Sequence, residues 1–280
     1  MLVRLGVSTY SYWHFEGPRL PLREYLRRAY EDGFAGVEVL VDHVESRARS
    51  YLKEVRRFAF EHGLEIYAVA LHNNFVRPDP AEREAEVKRV VEWLNVAYEL
   101  GADVVRVDSG RWGTVKSFDE LMARRGVEPP LEGYSEDDAV EWVVDCLYRC
   151  LDAAEELGVI VGLENHWGLT TRAETMLKIV RRVSSRWFGV VMDTGNFVHD
   201  TYSELEAIAP YAVMVHAKTY FGGGVWYTLD LDYGRIFGML RRHGFKGWVS
   251  LEYEGREDYS SGVRKSRELL MRYVGGGTCG

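Results

Sequence analysis

Four apolar runs in this sequence end on groups that can do chemistry. Ile160-Val161-Gly162-Leu163 leads into Glu164, Asn165 and His166 and then breaks at Gly168. The runs that begin near Phe188, Tyr211 and Trp248 end on Asp193, His216 and Glu252. A buried strand has no reason to finish on polar side chains unless something beyond its tip uses them. Three carboxylates brought to one point without a cation repel one another and take up protons. A divalent ion removes that conflict. Three oxygen ligands and one imidazole suit Mn2+ best, with Mg2+, Co2+ or Zn2+ also compatible. Each of the four alone is more often an ion-pair member or polar filler, so the coincidence at four strand tips carries the expectation.

The elements that must position these tips alternate along the whole chain. Apolar runs of strand length fall at 3–8, 35–40, 64–71, 103–108, 159–164, 188–193, 211–216 and 247–252. Segments of helical period fill 21–32, 45–62, 82–100, 135–157, 171–183, 201–208, 232–243 and 259–273. Eight strand-then-helix units predict an α/β chain folded as a single (β/α)8 barrel over residues 1–274, with a flexible tail at 275–280. A doubly wound open sheet is the rival, but Gly6-Val7-Ser8-Thr9-Tyr10 is not the glycine fingerprint such folds often carry. Glycines 63, 101, 158 and 244 follow predicted helices, where a left-handed cap is wanted. His62 and His243, in last helical turns, take a structural role there.

Side chains alternate across a strand, so parity sorts each run into two faces. One face is aliphatic throughout: Val37, Val39; Val105, Val107; Val161, Leu163; Val213, Val215; Val249, Leu251. The other starts small and turns polar. It carries Glu38, His72, Arg106 with Asp108, Glu164 with His166, Asp193, His216 with Lys218, and Glu252 with Glu254. A parallel sheet covered on both sides should be apolar on both faces. Polar residues at the carboxyl ends of barrel strands mark an active site.

The formal net charge of −8 repels a phosphate backbone, and no Lys/Arg run builds a local basic groove, so nucleic acid is not an expected partner. No apolar run is long enough to span a bilayer. No membrane contact is expected, and a cytoplasmic protein is the default. Cys146 and Cys150 sit in the apolar stripe of a predicted helix and read as small core residues. Two loops are long and aromatic: 9–15, with Trp13, and 220–227, with Trp226 and the run Gly222-Gly223-Gly224. Both would overhang the mouth, either stacking on a sugar or packing on each other, and the glycines would cradle a phosphate or form a hinge. The segment 111–134 reads as a lid, a dimer contact or a plain insertion.

The stretches Gly162-Leu163-Glu164-Asn165-His166, Met192-Asp193-Thr194-Gly195-Asn196, Val215-His216-Ala217-Lys218 and Gly247 to Gly255 resemble the signature strands of the xylose isomerase-like TIM barrels. That superfamily includes ketose 3-epimerases, hydroxypyruvate isomerase, inosose dehydratase and endonuclease IV. The resemblance implies a metal set of Glu164, Asp193, His216 and Glu252, with Glu164 and Glu252 also moving the proton. Relatives of this kind are often homodimers or homotetramers. Ketose 3-epimerases usually carry histidine where Asn196 stands and arginine where Gly222 stands, so this chain departs from their pattern at both. An endonuclease IV-like phosphodiesterase would need further histidines, which Asp230-Leu231-Asp232 does not supply.

Together these residues predict a metal-dependent isomerase or epimerase of a small carbohydrate, acting through an enediolate by glutamate acid/base catalysis. Loss of a β-hydroxyl from the same enolate would instead give a dehydratase of the inosose or dehydroshikimate kind. A barrel that only binds a ligand is the rival outside enzymes. Substrate contacts are expected from Asn165, His166, Asn196 and Lys218, from Glu38, His72, Arg106 and Asp108 on the opposite wall, and from Trp13 and Glu254. His166 could equally support the metal shell, Lys218 could pair with Glu254, and Arg106 could pair with a barrel carboxylate.

Overall fold

Eight parallel strands close on themselves in chain order. They are β1 (Arg4–Ser8), β2 (Gly36–Leu40), β3 (Glu65–Ala70), β4 (Val104–Val107), β5 (Ile160–Glu164), β6 (Phe188–Asp193), β7 (Ala212–Thr219) and β8 (Trp248–Tyr253). The computed structural model describes residues 3–13 and 17–274. The expected tail at 275–280, and residues 14 and 15 of the first aromatic loop, lie outside them. Around the barrel run α1 (Leu22–Glu31), α2 (Arg49–Glu61), α3 (Pro80–Leu100), α4 (Phe118–Ala123), α5 (Glu136–Leu157), α6 (Ala173–Val180), α7 (Thr201–Ile208), α8 (Tyr233–Arg242) and α9 (Tyr259–Val274). Among the described residues no helix is long and apolar enough to cross a membrane.

The helix ends show why the chain divides where it does. Ser135 opens α5 with a capping box, in which its hydroxyl accepts the Asp138 N–H and the Asp138 carboxylate accepts the Ser135 N–H. Asp79 caps α3 with Pro80 at the first helical position. Gly101 and Gly158 end α3 and α5 at φ of 80° and 69°, a conformation that costs other residues a Cβ clash. His62 accepts its structural role by bonding to the Phe58 carbonyl (2.8 Å), and His243 by meeting Glu206. Cys146 and Cys150 are buried free thiols in the α5 core stripe.

The aliphatic faces pack outward under the helices, as parity requires, with two exceptions. The register slips between β2 and β3 at Val37/Glu38, and between β6 and β7 at Val190/Val191. Each slip is a bulge, and a bulge turns one side chain to the other face. Tyr67 and Val213 therefore enter the barrel. Val213 fills the space over Gly162 and Gly189, where added Cβ atoms would lie 3.7 and 2.3 Å from it. Tyr67 stacks on Trp248 with ring centroids 4.3 Å apart, and the Arg4 guanidinium covers Trp248 at 4.2 Å. With Ala68, Val104, Val191 and Met214 these rings form a buried plug at the amino end of the barrel.

His43 is buried in the wall beside β2. Its ring stacks on Tyr25 at 4.1 Å and its Nδ1 meets Thr9 Oγ1 at 2.9 Å. Burial, helped by Arg19, pushes its pKa from 6.5 down to about 3. The unfolded chain therefore binds the proton first as pH falls. The stability contributed by neutral His43 is complete above pH 6.5 and is lost towards pH 3, at about 1.4 kcal/mol per pH unit. Urea unfolding at pH 7 and 4.5 should show His43→Gln losing about 2–3 kcal/mol less than the parent over that interval. Parallel profiles for the two proteins would remove this role.

Candidate metal centre and active site

Strands β5 to β8 deliver Glu164, Asp193, His216 and Glu252 to one point, with one donor atom of each within 4.8 Å of the others. The imidazole is at the centre. His216 Nδ1 lies 2.8 Å from Glu164 Oε1, 3.5 Å from Glu252 Oε1 and 3.8 Å from Asp193 Oδ2. Its other nitrogen, Nε2, lies 2.9 Å from Glu38 Oε1. A carboxylate on one ring nitrogen holds the proton there and frees the other nitrogen as a ligand. Glu38 is itself fixed by a relay from the plug: Tyr67 Oη donates to Ser250 Oγ (2.7 Å), which donates to Glu38 Oε2 (2.9 Å).

The charge balance of this region fits a bound cation. Six carboxylates inside the barrel are buried: Glu38, Asp108, Glu164, Asp193, Glu252 and Glu254. Two buried cations, Arg106 and Lys218, face them. Lys218 Nζ lies 2.6 Å from both Glu252 and Glu254 and 3.4 Å from Asp193 Oδ2. Arg106 lies 2.6 Å from Glu164 through Nε and 3.2 Å from Asp108 through Nη1. Asp193 Oδ2 and Glu164 Oε2 are buried oxygens without a hydrogen-bond donor, because the 2.6 Å Arg106 contact is an ion pair of poor hydrogen-bond angle. Burial, with Glu164 and Glu252 close by, raises the Asp193 carboxyl well above its usual range despite Lys218. Burial also acts to raise Glu164, but Arg106 and His216 outweigh it and hold that carboxyl well below. For Glu252 the same burial is outweighed by His216 and Lys218. Burial opposes the His216 charge, yet Glu252, Glu38 and Glu164 raise its pKa well above the ordinary value. These carboxylates favour positive charge at this point, and a divalent ion on the four donor atoms would take the place of a proton on His216 Nδ1.

A second cluster, His72, Asp108 and His166, gathers on the opposite wall. Asp108 accepts from His72 Nδ1 at 2.9 Å, and His166 Nδ1 lies 3.7 Å from its other oxygen. Arg106 already supplies the cation here, at 3.1 Å from His72 Nδ1. With Arg106 among them, these side chains form an ion-paired polar wall. Burial pushes the His166 pKa down to about 4, so this ring is neutral near pH 7.

Above both clusters opens a cavity of about 820 Å3. Of the residues expected to touch substrate, His72, Arg106, Asp108, His166, Lys218 and Glu254 line it, together with Glu252. The other four do not. Glu38 is fully buried beneath His216. Asn165 clamps two strand tips, its Nδ2 donating to the Asp193 carbonyl (2.9 Å) and its Oδ1 accepting the Asp193 N–H (2.7 Å). Asn196 is buried away from the cavity. Trp13 packs against His43, with Nε1 donating to the Gly17 carbonyl. Glu164, Asp193 and His216 are fully buried behind Glu252, Lys218 and Arg106. Of the four tips, only Glu252 is part of the cavity wall.

The sequence missed several lining residues. Arg89 projects from the middle of α3, where its spacing is that of a solvated helix face, and donates to the His72 carbonyl at 2.6 Å. Phe118 opens α4, a helix inside 111–134 too short to show a period. That segment packs its own small core of Val115, Leu121 and Met122 against Trp167 and Trp226. The run Gly222-Gly223-Gly224 is a turn, bridged to Gly255, and does not line the cavity.

The shape of the whole chain matches known structures. D-psicose 3-epimerase from Clostridium cellulolyticum H10 superposes with a TM-score of 0.77 at 15% identity, covering 97% of this chain and 99% of that one. A probable 3-DHS dehydratase from Bacillus anthracis gives 0.70 at 15%, covering 96% and 98%. The IolI protein, solved with a zinc atom, gives 0.70 at 16%, covering 97% and 96%. No curated protein sequence matches significantly. The sequence profile of one family spans residues 26–273. On that match and its closed eight-stranded barrel, the chain belongs to the xylose isomerase-like TIM barrel family.

Proposed function

We propose that this protein is a divalent-metal-dependent isomerase or epimerase of a sugar or sugar derivative. The observation that carries the proposal is the pair of glutamates, Glu164 and Glu252, flanking His216 Nδ1 at 2.8 and 3.5 Å at the closed end of the cavity. A divalent ion held by Glu164, Asp193, His216 and Glu252 would supply Lewis-acid polarisation of a substrate carbonyl. Glu252, on the cavity wall and held ionised by His216 and Lys218, takes a proton from the carbon beside that carbonyl. Return of that proton from Glu252 to the neighbouring carbon isomerises the sugar. Epimerisation takes a proton on the opposite face, which water from the cavity would supply, because Glu164 is ionised and sealed beneath the cavity by Arg106 and is proposed as a ligand. Arg106, Asp108 and His72 orient the hydroxyls. The structures of a ketose 3-epimerase and of a zinc-bound relative on the same fold support this reading.

A second reading, dehydration, rests on His166. Its neutral ring opens on the cavity two residues beyond Glu164, placed to hydrogen-bond a departing hydroxyl, which leaves as water with the proton that Glu252 took from carbon. The likeness to a probable 3-DHS dehydratase supports it. Incubation of the metal-loaded protein in D2O with a panel of ketoses and cyclic ketones separates the two. Isomerase or epimerase activity places deuterium beside the carbonyl with all oxygens retained. Dehydration gives an absorbing unsaturated product. No exchange with any member of the panel would overturn both.

A further inference from the structure

The cavity has two zones of different chemistry. Its floor is polar and holds Arg106, Asp108, Lys218, Glu252 and Glu254. Its roof is a triad of rings from three separate segments: Phe118 of α4, Trp167 and Trp226. The three meet edge to face, with centroids 5.8, 5.9 and 6.1 Å apart. Phe118 is 48% exposed, and its ring is open to the cavity. A continuous series of rings joins the zones: His72 to His166 at 5.5 Å, and His166 to Trp167 at 4.9 Å.

The roof is fastened rather than loose. Arg125 holds the α4 segment to the β6 loop through the Gly195 and Phe197 carbonyls at 3.3 and 2.6 Å. Gly168 N–H donates to the Gly126 carbonyl at 2.9 Å, which pins α4 against Trp167. Glu128 ties the same segment back to Arg111 and to the N–H groups of Gly113 and Val115. A fixed aromatic surface loses little freedom when it binds a flat or ring-shaped group.

Size points the same way. The cavity of about 820 Å3, open at its mouth, lies towards the upper end of the roughly 300–1,000 Å3 usual for small-molecule sites, with room beside a single sugar ring. We propose that the substrate is a sugar ring that bears a ketone and carries a second ring or apolar group elsewhere, as in a ketone-bearing glycoside. The sugar occupies the polar floor, and the second group stacks on Phe118, Trp167 and Trp226. Aromatic faces favour such a group through burial and stacking.

The proposal rests on the sugar-enzyme reading of the floor, so its test is binding rather than turnover. Titration of the metal-loaded protein with methyl and phenyl β-D-glucopyranosides, followed by calorimetry and tryptophan fluorescence, reads it directly. The phenyl glycoside should bind at least tenfold more tightly than the methyl glycoside and quench the fluorescence. In Phe118→Ala and Trp226→Ala that preference should fall to within twofold of unity. Phe118→Ala, at a half-exposed side chain, keeps the fold, and circular dichroism checks it. No preference in the parent, or a preference that survives both substitutions, overturns the platform. Failure of deuterium exchange with the phenyl preference intact would sink the proposed reaction and leave the platform standing.

Discussion

His216→Ala is expected to purify with less than a tenth of the parent's divalent metal and to melt roughly 5–10 °C lower. The imidazole stands between Glu38, Glu164, Asp193 and Glu252, every one of them buried. Its removal takes away one donor atom and the imidazole that links Glu38 to the other three. Breaking a buried charge network by deleting one partner costs about 3–5 kcal/mol, because the remaining charges stay out of water. Chelation offers an internal control. A chelator should lower the melting temperature of the parent, since an ion bound only to the folded state stabilises it by mass action, and should leave His216→Ala nearly unmoved. Elemental analysis and thermal melts check both halves. A variant with full metal content and an unchanged melt would remove His216 from the centre.

Glu252→Gln separates holding a metal from moving a proton. The amide keeps an oxygen donor and nearly the same shape, so metal content should stay within twofold of the parent. It cannot accept the proton from carbon, so solvent exchange should slow by about 10²–10⁴-fold, in kcat rather than KM. The choice of Glu252 over Glu164 follows from position: Glu252 lines the cavity, whereas Glu164 is sealed beneath it against Arg106. Loss of metal in step with activity would reduce Glu252 to a ligand. Unchanged exchange would exclude it as the base.

Much of this was legible in the sequence because parity is a local property. Eight apolar runs, seven of them with a polar-tipped face, specified the barrel and the four tips at its carboxyl end. Depth along the barrel axis is not local. Glu38 shares the polar face, but its register against Ala68 sets it below the cavity, as a partner of His216. Asn165 lay off the Glu164 face by parity, and the structure uses its amide between two strand tips. The two bulges were invisible, since a slip of one residue leaves no mark on composition. Tyr67 and Val213 consequently changed sides. The short helix α4 shows no period in six residues, so the roof had to be seen in three dimensions.

The plug of Tyr67, Trp248 and Arg4 closes the barrel at its amino end. Traffic is therefore single-file: what arrives at Glu252 must back out along its entrance route before the next molecule can follow. For a one-substrate, one-product reaction this makes product a plain competitor of substrate. For the proposed isomerisation, net flux would then depend on how quickly the product is drained by whatever consumes it, and direction on which side of equilibrium the product-to-substrate ratio lies.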